Sequence, residues 1–411
     1  MLLIKNIGLL QTPLGATSQS GRAQGENRKY KNASVLLDGG TIRAVTENGA
    51  VPVCPKDTEE LDAEGRFCTP GWVDAHTHLV FGGWRQHEIP LKLKGASYLE
   101  ILQSGGGILD TVRQTRALSQ DALFERALGF AREQLSLGVT ATEAKSGYGL
   151  DLENELKQLS VLARLKNEAG FDVVPTYMGA HAVPPEFAGN AEAYVEFVCA
   201  DVLPRVAKEH LGRFCDVFCE TGVFSVSQSR RVLETAQSLG FGLKIHADEI
   251  DSLGGAELAG ELGAVSAEHL IATSDAGISA LARGNVTACL LPGTSLYLDK
   301  PFARARAMIE RGVAVAVASD FNPGSCPSLN LQLCANLAYL KYRMTPEEIL
   351  TALTLNAACA IGLSQTHGTI EPGKQADLVL WDADGMDLLC YRMGSNLVKT
   401  AVKRGKIALT I

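Results

Sequence analysis

"RFCTPGWVDAHTHLVFGGWRQHE", residues 66–88, decides the fold of this 411-residue chain. An apolar, strand-like run ends at Asp74, and His76 and His78 follow it two residues apart. Two is the side-chain period of a β-strand, so both imidazoles are expected on one face. The chain has only eight histidines. The question is whether other segments bring matching residues to the same place.

With the run near 71–79 counted first, seven further segments read as strands that end in polar residues. They are "GVTATEAKS" (138–146), "DVVPTYMGAH" (172–181), "FCDVFCE" (214–220), "GLKIHADE" (242–249), "AVSAEHL" (264–270), "VTACLLPGT" (286–294) and "VAVAVASD" (313–320). Amphipathic stretches of helical length lie between them. "SQDALFERALGFAREQLSLG" runs from Ser119 to Gly138, and "DLENELKQLSVLARLKNEAG" from Asp151 to Gly170. Each opens on a side chain that caps a helix N-terminus and closes on glycine. Eight strands, each followed by helical material, predict an α/β chain built as a (β/α)₈ barrel.

The two ends read differently. Residues 1–66 and 368–411 hold short alternating strands and turns, as in "ASVLLDGGTIRAVTENGA" and "GTIEPGKQADLVLWDAD". Neither end is long enough for a core of its own. The two are predicted to join as one small β-sandwich domain, leaving 67–367 as the barrel. The opening "MLLIKNIGLL" reads as a strand of that domain, not as a signal peptide.

Composition narrows the function. Apolar residues at 46% and charged residues at 20% describe a folded globular protein. A formal net charge of −8 without a basic run argues against nucleic acid, although a small anion can still meet a local arginine. No stretch approaches the roughly 20 apolar residues of a membrane span. The ten cysteines are scattered. The closest pair, Cys215 and Cys219, is too widely spaced for a CxxC motif, so buried free thiols and a cytoplasmic location are expected.

A barrel works at the C-terminal ends of its strands. Those ends carry His76 and His78, Glu143 and Lys145, His181, Glu220, His246 and Glu249, His269, and Asp320. His87, His210 and His367 fall in loop or helix contexts that suit surface or packing roles. Taken singly, each end residue has an ordinary reading: a chance HxH, a rim histidine, a turn-forming aspartate before "FNPGS". Taken together, His76, His78, His246 and Asp320 offer three neutral nitrogens and a carboxylate. That set suits a divalent metal with one position left open. Lys145 reads as a partner for Glu143.

In these residues the chain resembles the amidohydrolase superfamily, whose metal hydrolases carry an HxH on the first strand, a histidine on the fifth and an aspartate on the eighth. The tail "GTIEPGKQADLVLWD" resembles the accessory β-domain of that superfamily. Within it, "DAHTHLVFGGWRQHE", "GGGILDTVRQTR", "EAKSGYGLD", "PTYMGAHAVPPEF", "KIHADE" and "SDFNPGS" are similar to the imidazolonepropionase family. The resemblance implies hydrolysis of the cyclic amide of 4-imidazolone-5-propanoate to N-formimidoyl-L-glutamate, a step of histidine degradation. It also implies one zinc or iron ion per subunit and a homodimer. Its metal ligands map onto His76, His78, His246 and Asp320. Its substrate contacts map onto Arg85, Tyr148, His181 and Glu249, with Asn322, Gly324 and Ser325 close by.

The planar fork of Arg85 is the natural partner for the propanoate carboxylate. Asp320, Glu249, His181 and His269 are the candidates for catalysis. Asp320 is expected to take a proton from the attacking water, Glu249 to move one to the leaving ring nitrogen, and His181 to polarise the carbonyl oxygen. Spacing does not assign the main base. Glu220 stands where a second metal is bridged in other superfamily members, but the resemblance implies a single ion, so it is not counted as a ligand. The rival readings are a cytosine- or guanine-type deaminase, which shares the "HADE"-like strand, and a catalytically inert scaffold.

Overall fold

The computed structural model describes residues 1–95, 106–168 and 170–410. The first residue of "GGGILDTVRQTR", Gly105, lies outside them. Among the described residues the strands form two eight-stranded sheets.

The barrel sheet takes β6 (Trp72–Asp74), β7 (Val139–Lys145), β8 (Asp172–Ala180), β9 (Phe214–Cys219), β10 (Gly242–Ala247), β11 (Ser266–His269), β12 (Thr287–Leu290) and β13 (Val315–Val317) in sequence order, all pairs parallel. All eight expected strands are present. The first is shorter than 71–79, because beyond Asp74 the chain pairs only at Thr77, in a parallel bridge to Phe321. That bridge helps close the barrel. The Asp320 amide donates to the His76 carbonyl at 3.1 Å, and the His78 amide to the Phe321 carbonyl at 2.8 Å. The buried Asp74 carboxylate accepts from the Ser319 amide and hydroxyl at 3.0 and 2.6 Å. Extended backbone on both sides of Thr77 keeps His76 and His78 on one face.

The helices start where their capping residues stand. Ser119 accepts from the Ala122 amide to begin the helix Gln120–Ser136, and Asp151 from the Asn154 amide to begin Leu152–Asn167. Gly138 then turns the chain into β7 at φ 92°, a conformation L-residues rarely adopt. A methyl there would lie 2.7 Å from the Trp381 ring.

The second sheet draws on both ends of the chain. Its path runs from β16 (Lys406–Thr410) through β15 (Val398–Lys403), β14 (Leu378–Trp381), β5 (Phe67–Pro70), β1 (Leu2–Thr12) and β2 (Arg28–Asp38) to β3 (Thr41–Thr46). β4 (Glu59–Asp62) pairs separately with β1. Ile4, Val35, Leu378 and Val402 share its small core, so residues from the two ends pack together as expected. Phe67–Pro70 pairs with β14 and so belongs to this sheet, although the segment begins the span that the sequence reading gives to the barrel.

Two contacts seat this sheet on the barrel. Trp381 packs on Trp72 with ring centroids 4.7 Å apart, its indole N–H donating to Thr69 Oγ1 at 2.9 Å. Asp172, at the start of β8, accepts from Gln375 at 2.6 Å and Arg404 at 2.5 Å and pairs with Lys403. His367 joins that group 3.2 Å from Asp172, a packing role. His210 is exposed, and His87 is half exposed beside Asp110.

Candidate active site

The barrel brings His76, His78, His246, His269 and Asp320 to one buried pocket. Ligand atoms of His76, His78 and His246 lie within 4.8 Å of one another, as do those of His76, His269 and Asp320. Asp320 Oδ1 is 3.4 Å from His76 Nε2 and 3.6 Å from His78 Nε2. Its other oxygen accepts a short hydrogen bond from Thr294. Burial, reinforced for His76 by the Lys145 ammonium and for His246 by His269, holds the three imidazoles well below the usual histidine range. They are neutral, as nitrogen ligands must be.

The carboxylates behind the histidines set which nitrogen faces the pocket. His76 Nδ1 is 2.9 Å from Glu268, and His246 Nδ1 is 3.0 Å from Asp216. Each carboxylate accepts the Nδ1 proton, so Nε2 of both rings is left as a lone-pair donor. Those two Nε2 atoms and His78 Nδ1 are buried and make no hydrogen bond. Buried nitrogens without partners are costly unless something occupies the space they face.

Charge favours the same occupant. Glu143, Asp216 and Glu268 sit at 0% exposure beneath the histidines, with Lys145 and Lys244 among them. Lys145 Nζ is 2.6 Å from Glu143 and 3.0 Å from Asp216, and Lys244 Nζ is 3.1 Å from Glu268. With Asp320, four carboxylates face two ammonium groups, a formal excess of two negative charges that a divalent cation offsets. The residues fit a metal.

Two strand ends break β geometry to deliver their side chains. His269 has φ 66° and Asp320 φ 56°. A left-handed residue interrupts the in–out alternation, so Glu268 and His269 both reach the interior, as do Ser319 and Asp320. The Glu220 carboxylate is spent holding the amides of Thr221, Ile250 and Asp251. It positions the loop after β10.

The residues expected around the substrate lie at the pocket's rim. Tyr148 and His181 have their rings 5.8 and 5.0 Å from that of His78. Gly147, at φ 106°, lets them approach, since a methyl there would lie 2.7 Å from the Met178 carbonyl and 3.0 Å from His181 Nδ1. His181 Nδ1 lies 3.1 Å from the Gly147 carbonyl, which can only accept, so Nδ1 carries the proton. Burial lowers the pKa of His181 to about 4. The neutral ring therefore turns a lone pair towards the pocket. In this tautomer Nε2 is an acceptor, which suits a ring N–H, whereas polarising a carbonyl oxygen needs a donor there.

Glu249 has a side chain 15% exposed, and its Oε2 is 3.7 Å from His269 Nε2. Burial, with the nearby Glu220 charge, pushes its pKa up to about 7. Burial raises Asp320 to about 6. Arg85 pairs side-on with Glu88, and its Nη1 lies against Gly324, in the turn that also holds Asn322 and Ser325.

Comparison with known proteins agrees with this geometry. The amidohydrolase family model matches residues 67–408. The imidazolonepropionase of Caldanaerobacter subterraneus subsp. tengcongensis is 48% identical over 98% of this chain and 96% of that protein. The imidazolonepropionase of Bacillus cytotoxicus is 53% identical over 86% of this chain and 83% of its own length. The chain belongs to the imidazolonepropionase family of amidohydrolases. The solved guanine deaminase of E. coli covers 100% of this chain and 99% of its own with a TM-score of 0.75 but 14% identity, a likeness of fold alone. The rival deaminase reading thus shares the scaffold, but this deaminase is 14% identical where the two imidazolonepropionases are 48% and 53%.

The sequence reading did not pick out Glu88, Asp216, Lys244 or Glu268. A signal existed for Lys244, which stands two residues before His246 and so shares its face of β10. Nothing local marks Asp216 or Glu268 as partners of histidines on neighbouring strands.

Proposed function

We propose that the protein hydrolyses 4-imidazolone-5-propanoate to N-formimidoyl-L-glutamate, using one zinc or iron ion per chain held by His76, His78, His246 and Asp320. The observation that carries the chemistry is the buried, partnerless Nε2 of His76 and of His246, in a cluster where His78 Nε2 and Asp320 also meet. The substrate follows from the curated relatives, which match nearly the whole chain at about half identity. A cation held by these residues would supply Lewis acidity to the ring carbonyl and to the attacking water.

The chain's own residues do the rest. Asp320 takes the proton of the attacking water. Burial favours the protonated form that Asp320 then takes. Glu249, raised further, delivers a proton to the ring nitrogen as the C–N bond breaks. His269 lies between the two, 3.7 Å from Glu249 and grouped with His76 and Asp320, so it links the proton sites. His181 accepts from a ring N–H, and Arg85 receives the propanoate carboxylate. Ten free thiols support a reducing compartment, the cytoplasm, and we take the working form to be a homodimer.

The test is to supply freshly prepared imidazolone propanoate and follow loss of its ultraviolet absorbance. Formation of N-formimidoyl-L-glutamate is expected. Ammonia release from cytosine or guanine, with the imidazolone untouched, would make the protein a deaminase. No turnover of any of these by protein with one bound metal per chain would favour the scaffold.

A further inference from the structure

We infer that Glu88 is a positioning residue that determines which carboxylate tail the pocket accepts, by gripping one edge of Arg85 so that only the other edge faces the ligand. The inference rests on the reading of Arg85 above and deepens it.

Glu88 is fully buried, although it follows "WRQH" in a polar run. The short turn Gln86–Glu88, in which the Glu88 amide donates to the Arg85 carbonyl at 3.0 Å, brings the two side chains onto one side. Arg85 Nε donates to Glu88 Oε1 at 2.9 Å and Nη2 to Oε2 at 3.1 Å. Oε1 also accepts from the Gly107 amide at 2.7 Å, which anchors the carboxylate from the far side. A guanidinium has five N–H donors in a fixed plane. With the Nε/Nη2 edge occupied, the Nη1/Nη2 edge is the one left for a ligand.

That free edge is also boxed in. Gly324 lies against it so closely that a methyl there would stand 2.3 Å from Arg85 Nη1. The Gly324 turn is stiff. Asn322 Oδ1 accepts from the amides of Gly324 and Ser325 at 2.8 and 2.7 Å, while Asn322 Nδ2 donates to the Asp320 carbonyl at 2.7 Å. The guanidinium is therefore clamped between Glu88 and a turn tied to Asp320. Its distance from the reacting centre is fixed.

Because Glu88 cancels the arginine's charge, an incoming carboxylate meets oriented donors more than net attraction. Such a clamp reads tail length. A tail one methylene too short or too long cannot place both oxygens on the free edge.

The test measures binding, so it does not depend on turnover. Imidazole-4-propanoate and its acetate and butanoate homologues carry the ring and tail without the scissile carbonyl. Their affinities for the metal-loaded protein, for Glu88→Gln and for Gly324→Ala are compared by calorimetry. A misplaced methylene is worth about tenfold or more in a shaped site. The natural protein is expected to prefer propanoate by at least that factor, and both variants to fall to within about threefold across the series. Glu88→Gln puts an amide N–H against one arginine donor, whereas Gly324→Ala displaces the clamp from the opposite side with Glu88 intact, so either variant alone suffices if the other fails to fold.

A folded, metal-loaded variant that keeps the full propanoate preference would overturn the inference, and so would a natural protein that binds all three acids alike. A protein that prefers propanoate yet does not hydrolyse imidazolone propanoate would leave the clamp standing and remove the proposed reaction.

Discussion

Replacing Asp216 by Asn tests the pocket at its least visible point. The carboxylate touches no substrate, yet Oδ1 accepts from both the backbone N–H and Nδ1 of His246, at 3.1 and 3.0 Å, and Oδ2 faces Lys145 at 3.0 Å. Asparagine has the same shape but only one acceptor oxygen. If that oxygen stays with His246, the amide N–H₂ opposes the Lys145 ammonium. If the amide flips, two N–H groups confront the histidine and Nε2 is no longer held towards the metal. Loss of such a partner behind a ligand costs about 10- to 100-fold in metal affinity, roughly 1.4–2.7 kcal/mol. The fold should survive, because Lys145 keeps Glu143 at 2.6 Å. Lys145→Met is the contrast: it leaves Glu143 and Asp216 buried without their shared cation, a change of about 3–5 kcal/mol in stability. Competition with a chelator gives the affinity and calorimetry the stability. An Asp216→Asn protein that folds normally and holds metal within threefold of the natural affinity would refute the assignment.

His76→Ala, His246→Ala or Asp320→Ala should each abolish hydrolysis and lower bound metal, read by elemental analysis. Full activity at unchanged metal content would remove that residue from the ligand set. Glu249→Gln should retain metal while kcat falls by about 10²–10⁴-fold. Since burial keeps Glu249 protonated up to about pH 7, a rate that uses it as donor declines above that pH, and the variant's profile should lack this limb. Gly138→Ala should lower the melting temperature, because a methyl at φ 92° is strained and meets Trp381 at 2.7 Å. The expected cost exceeds about 1 kcal/mol.

The barrel was legible because its strands repeat one local pattern, an apolar run that stops at a polar residue, and helix caps such as Ser119 and Asp151 act within their own turn. The gathering of His76, His78 and His246 was legible for a related reason. His76 and His78 keep strand alternation past the end of β6, and His246 is the last residue but one of β10. Alternation reports side-chain direction only while the chain stays extended. At His269 and Asp320 the backbone turns left-handed, so period-two reasoning would send Glu268 outward when it in fact reaches His76 at 2.9 Å.

Partners across strands are harder still. His76 and Glu268 stand 192 positions apart and nothing in the sequence marks their pairing, because it arises only when the sheet closes. The tautomer of His181 was out of reach for a third reason: the Gly147 carbonyl beside its Nδ1 is a backbone atom. Residue type tells what a side chain can do in either protonation state, while the neighbouring backbone decides which nitrogen remains to do it. In this pocket the convergence of the histidines and Asp320 was readable from the strand ends. The orientation of the chemistry resides in Glu88, Asp216, Glu268 and one carbonyl oxygen, whose partners are set only when the fold closes.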